Sequence, residues 1–170
     1  MLGKGMSAGT LIPVDEYLAS SYDPDCDYVD GHLEERNFGE WDHASLQMRV
    51  SAYLYARQDQ WGIRVAPELR VRVAPTRFRV LDVCVVLGEQ VLTKPPFICI
   101  EILSPEDRMS RIEERINDYL AMGVPYVWLL DPQTHQAYWA TLTEGLREVK
   151  DGVLRTDRPV LEVPLSEIFR

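Results

Sequence analysis

Two acidic residues stand inside stretches that are otherwise apolar. Val80-Leu81-Asp82-Val83-Cys84-Val85-Val86-Leu87 carries one carboxylate, and Phe97-Ile98-Cys99-Ile100-Glu101-Ile102-Leu103 carries another. Both runs read as buried β-strands, being short, rich in β-branched residues and bounded by turn signals. Side chains alternate along a strand, so Asp82 shares a face with Phe78, Val80, Cys84 and Val86, and Glu101 shares one with Phe97, Cys99 and Leu103. An ionised carboxylate left alone in such a place costs several kcal/mol, so it must be protonated, paired with a base or bound to a cation. A single such acid is accounted for by an arginine near a strand end. Two on consecutive strands of matching character would repel each other, and one pKa would rise. A divalent cation removes both problems. Mg²⁺, with Mn²⁺ as the alternative, takes one or two carboxylates and fills its other positions with water and phosphate oxygens. Ion pairing and a shared cation both remain open at this level.

The elements that must position these acids follow from periodicity. Val14 to Ser20 suits a short helix, and Asp30-Gly31 suits a hairpin turn within 27–38. From Asp42 to about Trp61 the apolar residues Leu46, Val50, Tyr53 and Leu54 recur at helical steps. Ile63 to Ala74 reads as a strand wet on one side, with Leu69, Val71 and Val73 opposite Arg70 and Arg72. The two acid-bearing strands come next. Ser104-Pro105-Glu106-Asp107 then suggests a helix start, with Ser104 as N-cap. That helix carries Met109, Ile112, Ile116, Tyr119 and Leu120 on one side, and Gly123 and Pro125 end it. Tyr126 to Leu130 is a further strand, Gln136 to Lys150 a hairpin, and Leu165, Ile168 and Phe169 a last helical turn. The order is helix, three strands, helix, strand, which predicts an α/β fold with a mixed sheet flanked by helices and an added N-terminal hairpin.

The 170 residues suffice for one domain with a real core, with residues 1–13 read as a tail. The start lacks an apolar h-region and no stretch is long enough to cross a membrane, so a cytoplasmic protein is expected. Cys26, Cys84 and Cys99 are odd in number and irregular in spacing, which suits reduced core residues. A net charge of −9 argues against broad, non-specific binding of nucleic acid, though not against a local basic patch. Only Lys4, Lys94 and Lys150 are lysines among 18 basic residues, so any positive charge at a site falls to arginine.

Val80-Leu81-Asp82-Val83, then Ile100-Glu101-Ile102-Leu103-Ser104-Pro105, then Tyr119, Gly123-Val124-Pro125 and Tyr126-Val127-Trp128-Leu129-Leu130-Asp131-Pro132 carry a resemblance in their order and spacing. Asp27-Tyr28-Val29-Asp30-Gly31, His43 and Pro95-Pro96 add to it. The chain resembles the bacterial putative restriction endonuclease family, of the PD-(D/E)xK nuclease superfamily, over about residues 14–170. That resemblance implies a restriction-endonuclease-like core and metal-dependent hydrolysis of phosphodiester bonds in DNA. It implies Asp82, Glu101 and the backbone carbonyl of Ile102 as the ligands of Mg²⁺. It also implies a homodimer, since nucleases of this superfamily commonly pair to cut two strands. The chain departs from the pattern at Leu81, where the superfamily has proline, at Asp27, where the family more often has glutamate, and at Leu103, where it has lysine. In this family the lysine is often supplied from the following helix, four residues before the tyrosine, a position occupied here by Arg115.

Arginine keeps a positive charge for a phosphate but cannot act as a base. Arg108, Arg111 and Arg115 form one helical stripe. For Arg108 and Arg111 the expectation is a solvated face paired with Asp107, Glu114 and Asp118; for Arg115 it is a role at the site. His43, near the start of its helix, is a candidate to position a water or a phosphate, or else a structural histidine. Beside the nuclease stand two further readings. One is a catalytically weak or inactive relative acting as an interaction or nucleic-acid-binding module; the other is a hydrolase of a smaller phosphate ester.

Overall fold

The computed structural model describes residues 10–37, 40–88 and 94–170. Of the tail read as 1–13, residues 1–9 lie outside that description. Ile12 is tied down, its amide donating to the Gly31 carbonyl and its own carbonyl accepting from the Tyr28 hydroxyl.

Helix α1 (Val14–Ala19) leads to the hairpin of β1 (Asp27–Val29) and β2 (His32–Glu34). Asp30 and Gly31 both take positive φ, 49° and 94°, as a tight two-residue hairpin turn requires. The long amphipathic stretch divides into α2 (Trp41–Tyr55) and one further turn, α3 (Gln58–Trp61). Strands β3 (Ile63–Ala74) and β4 (Arg77–Leu87) form a long antiparallel hairpin, and β5 (Ile98–Ile102) pairs antiparallel with β4. Helix α4 (Met109–Met122) ends at Gly123, whose φ of 99° suits its residue type. It crosses to β6 (Tyr126–Asp131), the one parallel neighbour of β5, and the sheet continues through β7 (Gln136–Thr141) to β8 (Gly145–Glu148). The path β2-β1-β4-β5-β6-β7-β8, with β3 on β4, is the mixed sheet expected from the sequence.

Two apolar layers cover the sheet. Leu46, Val50 and Leu54 of α2 pack with Val83, Val85, Ile98, Ile100 and Ile102. The same layer holds Leu154, Leu161 and Val163 from a hairpin with no counterpart in the sequence reading, β9 (Val153–Asp157) and β10 (Val160–Pro164), and Ile168 of the terminal turn α5 (Leu165–Ile168). On the other face Ile112, Ile116, Tyr119 and Leu120 of α4 pack with Cys84, Cys99, Val127 and Leu129. The three cysteines are free and buried.

The predicted helix start at Ser104 is displaced. Helix α4 begins at Met109 after an extended Arg108 (φ −91°, ψ 129°). Asp107, the last residue of the supposed first turn, instead accepts the Ser104 amide at 2.7 Å and the Asn37 side chain at 2.8 Å. A carboxylate that folds back on its own loop closes a turn there, and the helix cannot begin until it is passed.

Candidate active site

The acids sit where the sheet is locally deformed. Between β4 and β5 the ladder runs Val85–Ile98, Cys84–Cys99, Val83–Ile100 and then stops. One step further, Asp82 and Glu101 would face each other. In place of that backbone pairing, Asp82 Oδ2 accepts the Ile102 amide at 2.7 Å. The two carboxylates therefore stand at adjoining positions of a parted pair of strands. Alternation along β4 also breaks at this level: Leu81 belongs to the α4 layer, whereas Val83 and Val85 belong to the α2 layer. The β3 partner kinks opposite, the ladder passing from Pro67–Val83 to Leu69–Leu81 while Glu68 takes a φ of 51°. A non-glycine residue there is strained by about 1–3 kcal/mol, a cost that clusters at functional sites.

Groups from both layers converge on the gap. From α2, His43 Nε2 lies 3.4 Å from Asp82 Oδ2, and Gln47 Nε2 donates to the Asp82 carbonyl at 2.9 Å and to Glu68 Oε1 at 2.7 Å. Arg36, from the segment after β2, bridges Asp82 and Glu68 with its two terminal nitrogens. From α4, Arg115 donates to Glu101 at 3.0 Å and to the Val80 carbonyl at 2.9 Å. The Tyr119 hydroxyl, one helical turn on, donates to Glu101 Oε1. Asp82 and Glu101 are each only 2 % exposed.

Each carboxylate thus has its own guanidinium, yet the two are driven apart in acidity. Burial opposes ionisation of Asp82, but the contact with His43 and the charge of Arg36 prevail and hold its pKa below the ordinary value. Burial dominates at Glu101. With the charge of Asp82 added, it raises the pKa to about 7 against the pull of Arg115. Burial also works against a charged His43, but Asp82 more than offsets it, so His43 is more basic than usual. A pair of acids pushed in opposite directions is what acid–base chemistry near neutral pH requires.

The site brings together Asp82, Glu101, Arg115 and His43 of the sequence-predicted residues, with Ile102 contributing its amide to Asp82. Leu103, at the superfamily's lysine position, packs in the α4 layer. Lys150 lines a separate cleft with Tyr126 and Trp139. Asp27 accepts the Val80 amide at 2.8 Å and pairs with buried Arg79 at 3.1 Å. Glu114 and Asp118 are also taken by Arg79 and Arg77, which corrects the pairing expected for the α4 stripe. Among the described residues the one ion pair of Arg111 is a 3.5 Å contact with Glu34, and Arg108 is exposed. Sequence reasoning missed Arg36, Gln47 and Glu68. Arg36 carries no local signal; Glu68, a lone acid opposite Asp82 in a long hairpin, was the findable one.

The donors suit a hard cation in kind. Among the described residues no group of three or more His, Cys, Asp or Glu side chains converges as a metal cluster. Two carboxylates are nevertheless as many as Mg²⁺ commonly takes from a protein. Arg115 Nε is buried without a hydrogen-bond partner among the described residues, 3.7 Å from Asp27. A pocket of about 30 Å³ lined by Asp27, Arg36, Arg79, Arg111 and Arg115 adjoins it.

The mixed sheet flanked by helices is that of a nuclease fold class, as comparison with known proteins shows. The model of the Uma2 family, described as putative restriction endonuclease, matches residues 14–168, so the chain belongs to that family. The chain is similar to a crystal structure described as a putative nuclease from Anabaena variabilis, at 20% identity and a TM-score of 0.78, covering 93% of this chain and 97% of that one. No curated protein matches the chain. No helix among the described residues is long and apolar enough to cross a membrane.

Proposed function

We propose that the chain is a cytoplasmic endonuclease that hydrolyses phosphodiester bonds of DNA at Asp82 and Glu101 with the help of Mg²⁺ or Mn²⁺. The observation that carries this reading is the parted β4–β5 ladder, which leaves two buried carboxylates at adjoining positions with their acidities split. Asp82, Glu101 and the Ile102 carbonyl would hold the cation, which when bound supplies a polarised phosphate and a more acidic water. The Ile102 amide and His43 orient Asp82. Arg115 and Tyr119 orient Glu101, and the part of the Arg115 guanidinium that stays exposed, 14% of the side chain, offers its charge to a phosphate oxygen.

One observation favours a second reading. Arg36 and Arg115 already neutralise the two acids, so a cation must compete with a guanidinium at each. On that reading the chain is a weak or inactive nuclease-fold protein that serves as an interaction or nucleic-acid-binding module. Plasmid and single-stranded DNA, incubated with wild type, Asp82→Ala and Glu101→Ala in Mg²⁺ or Mn²⁺, separate the two. Nicking by wild type alone supports the nuclease. Equal nicking by all three reflects contamination, and none by any of them leaves the second reading.

A further inference from the structure

Helix α2 is apolar on two sides. Leu46, Val50 and Leu54 face the core. On the far side Trp41, Ala44, Met48, Ala52 and Tyr55 are all exposed, with Trp41 at 84%, Met48 at 69% and Tyr55 at 63%. Their spacing of three, four, four and three residues places them in one straight stripe over the whole helix. Single exposed apolar residues are ordinary; a contiguous run of this size ranks with the largest apolar patches that monomers carry, and such patches are often functional.

We propose that this stripe joins two copies of the chain, α2 against α2 in antiparallel, around a twofold axis at Met48. A twofold contact must be self-complementary: if residue i meets residue j, then j meets i. The stripe meets that condition, because its sizes run large, small, medium, small, large in either direction. Trp41 lies opposite the partner's Tyr55, Ala44 opposite the partner's Ala52, and Met48 opposite the partner's Met48. The alanines flanking the centre let the helices approach closely, while methionine adapts to its own copy. The exposed aromatic and Met surface amounts to roughly 500 Å² per copy, so the pair buries about 1,000 Å², at the lower edge of a specific interface. Association is accordingly reversible and set by concentration. The opposite face of the same helix delivers His43 and Gln47 to Asp82, so the interface braces the site without entering it.

Sedimentation of the full chain at physiological salt tests this directly, and a monomer–dimer equilibrium is expected. Met48→Cys, the one stripe position that faces itself, forms a covalent dimer on mild oxidation. Leu142→Cys, equally exposed but on the β7–β8 turn, does not. Met48→Glu and, independently, Ala44→Glu weaken the dimer on the order of a hundredfold, with an unchanged circular dichroism spectrum, because the first sets two like charges face to face at the axis and the second buries an unpaired carboxylate against the partner's Ala52. A wild type that stays monomeric, with the stripe left to residues 1–9 or to another protein, overturns the proposal. So does a dimer that survives both glutamate substitutions, or equal cross-linking through Leu142→Cys.

Discussion

Glu101 should make the protein less stable as pH rises, and Glu101→Gln should remove that slope. Burial lifts its pKa from an ordinary 4.5 to about 7. A raised carboxyl pKa means that the fold prefers the protonated form. Its stabilising effect is therefore complete below pH 4.5 and is lost as pH climbs through 7. A difference of this size corresponds to about 3 kcal/mol, at 1.36 kcal/mol per pH unit. The glutamine variant cannot titrate at this position. It pays a constant penalty for leaving buried Arg115 with Asp27 as its nearer remaining charge, but that penalty does not vary over this range. Urea unfolding of both proteins between about pH 4.5 and pH 8 isolates the effect, because the remaining groups, His43 included, largely cancel. Relative to wild type, the variant should gain on the order of 3 kcal/mol across the range. Parallel curves would mean that Arg115 holds Glu101 ionised throughout, and the burial argument would fail.

On the proposed reading a divalent cation would compete with the proton on Glu101, so Mg²⁺ should raise the melting temperature more at pH 8 than at pH 6. Saturation at a hundred times the dissociation constant is worth about 2.7 kcal/mol, and Asp82→Asn should abolish the shift. Arg79, 1 % exposed among Asp27, Glu34, Glu114 and Asp118, holds four carboxylates together. Arg79→Met should cost about 3–5 kcal/mol in urea unfolding, and a loss under 1 kcal/mol would refute its structural role. Arg115→Met should reduce DNA nicking by a factor on the order of 10² to 10³, while Arg115→Lys, which keeps the charge, should lose far less. Equal rates in the two variants would remove Arg115 from the chemistry.

The two carboxylates were legible in the sequence because each violates an otherwise apolar strand, and a violation of that kind demands a physical explanation. The β3–β4–β5–α4–β6 core was legible for a related reason, its periods being long and its stops, Gly123 and Asp131-Pro132, unambiguous. The β9–β10 hairpin was not: Thr156, Arg158 and Pro159 interrupt a short alternation, and its buried Leu154, Leu161 and Val163 find their partners far away in sequence. Arg36 was invisible for the same reason. Nothing local marks a loop arginine that reaches Asp82 across 46 positions. The start of α4 was misread because Ser104-Pro105 has the composition of a cap, while the side chain of Asp107 decides the backbone.

Whether the site turns over depends on Arg36. It comes from a loop, unlike Arg115, which is fixed on a helix and hydrogen-bonded to the Val80 carbonyl. Its grip on Asp82 is reinforced by Glu68, held in a strained conformation opposite and itself steadied by Gln47. Those contacts make Arg36 the cation that any metal must first displace. Arg36→Met removes that competitor while leaving both carboxylates, the Ile102 amide and His43 in place. Without Mg²⁺ the variant should be destabilised by about 3–5 kcal/mol, since Asp82 stays buried and loses its counter-charge. With Mg²⁺ most of that loss should return, and calorimetric titration should show tighter Mg²⁺ binding than in wild type. Weaker binding would mean that Arg36 builds the site and does not block it. In that case the guanidinium on Asp82 belongs to a permanent ion pair, and the reading as an inactive relative gains the stronger claim.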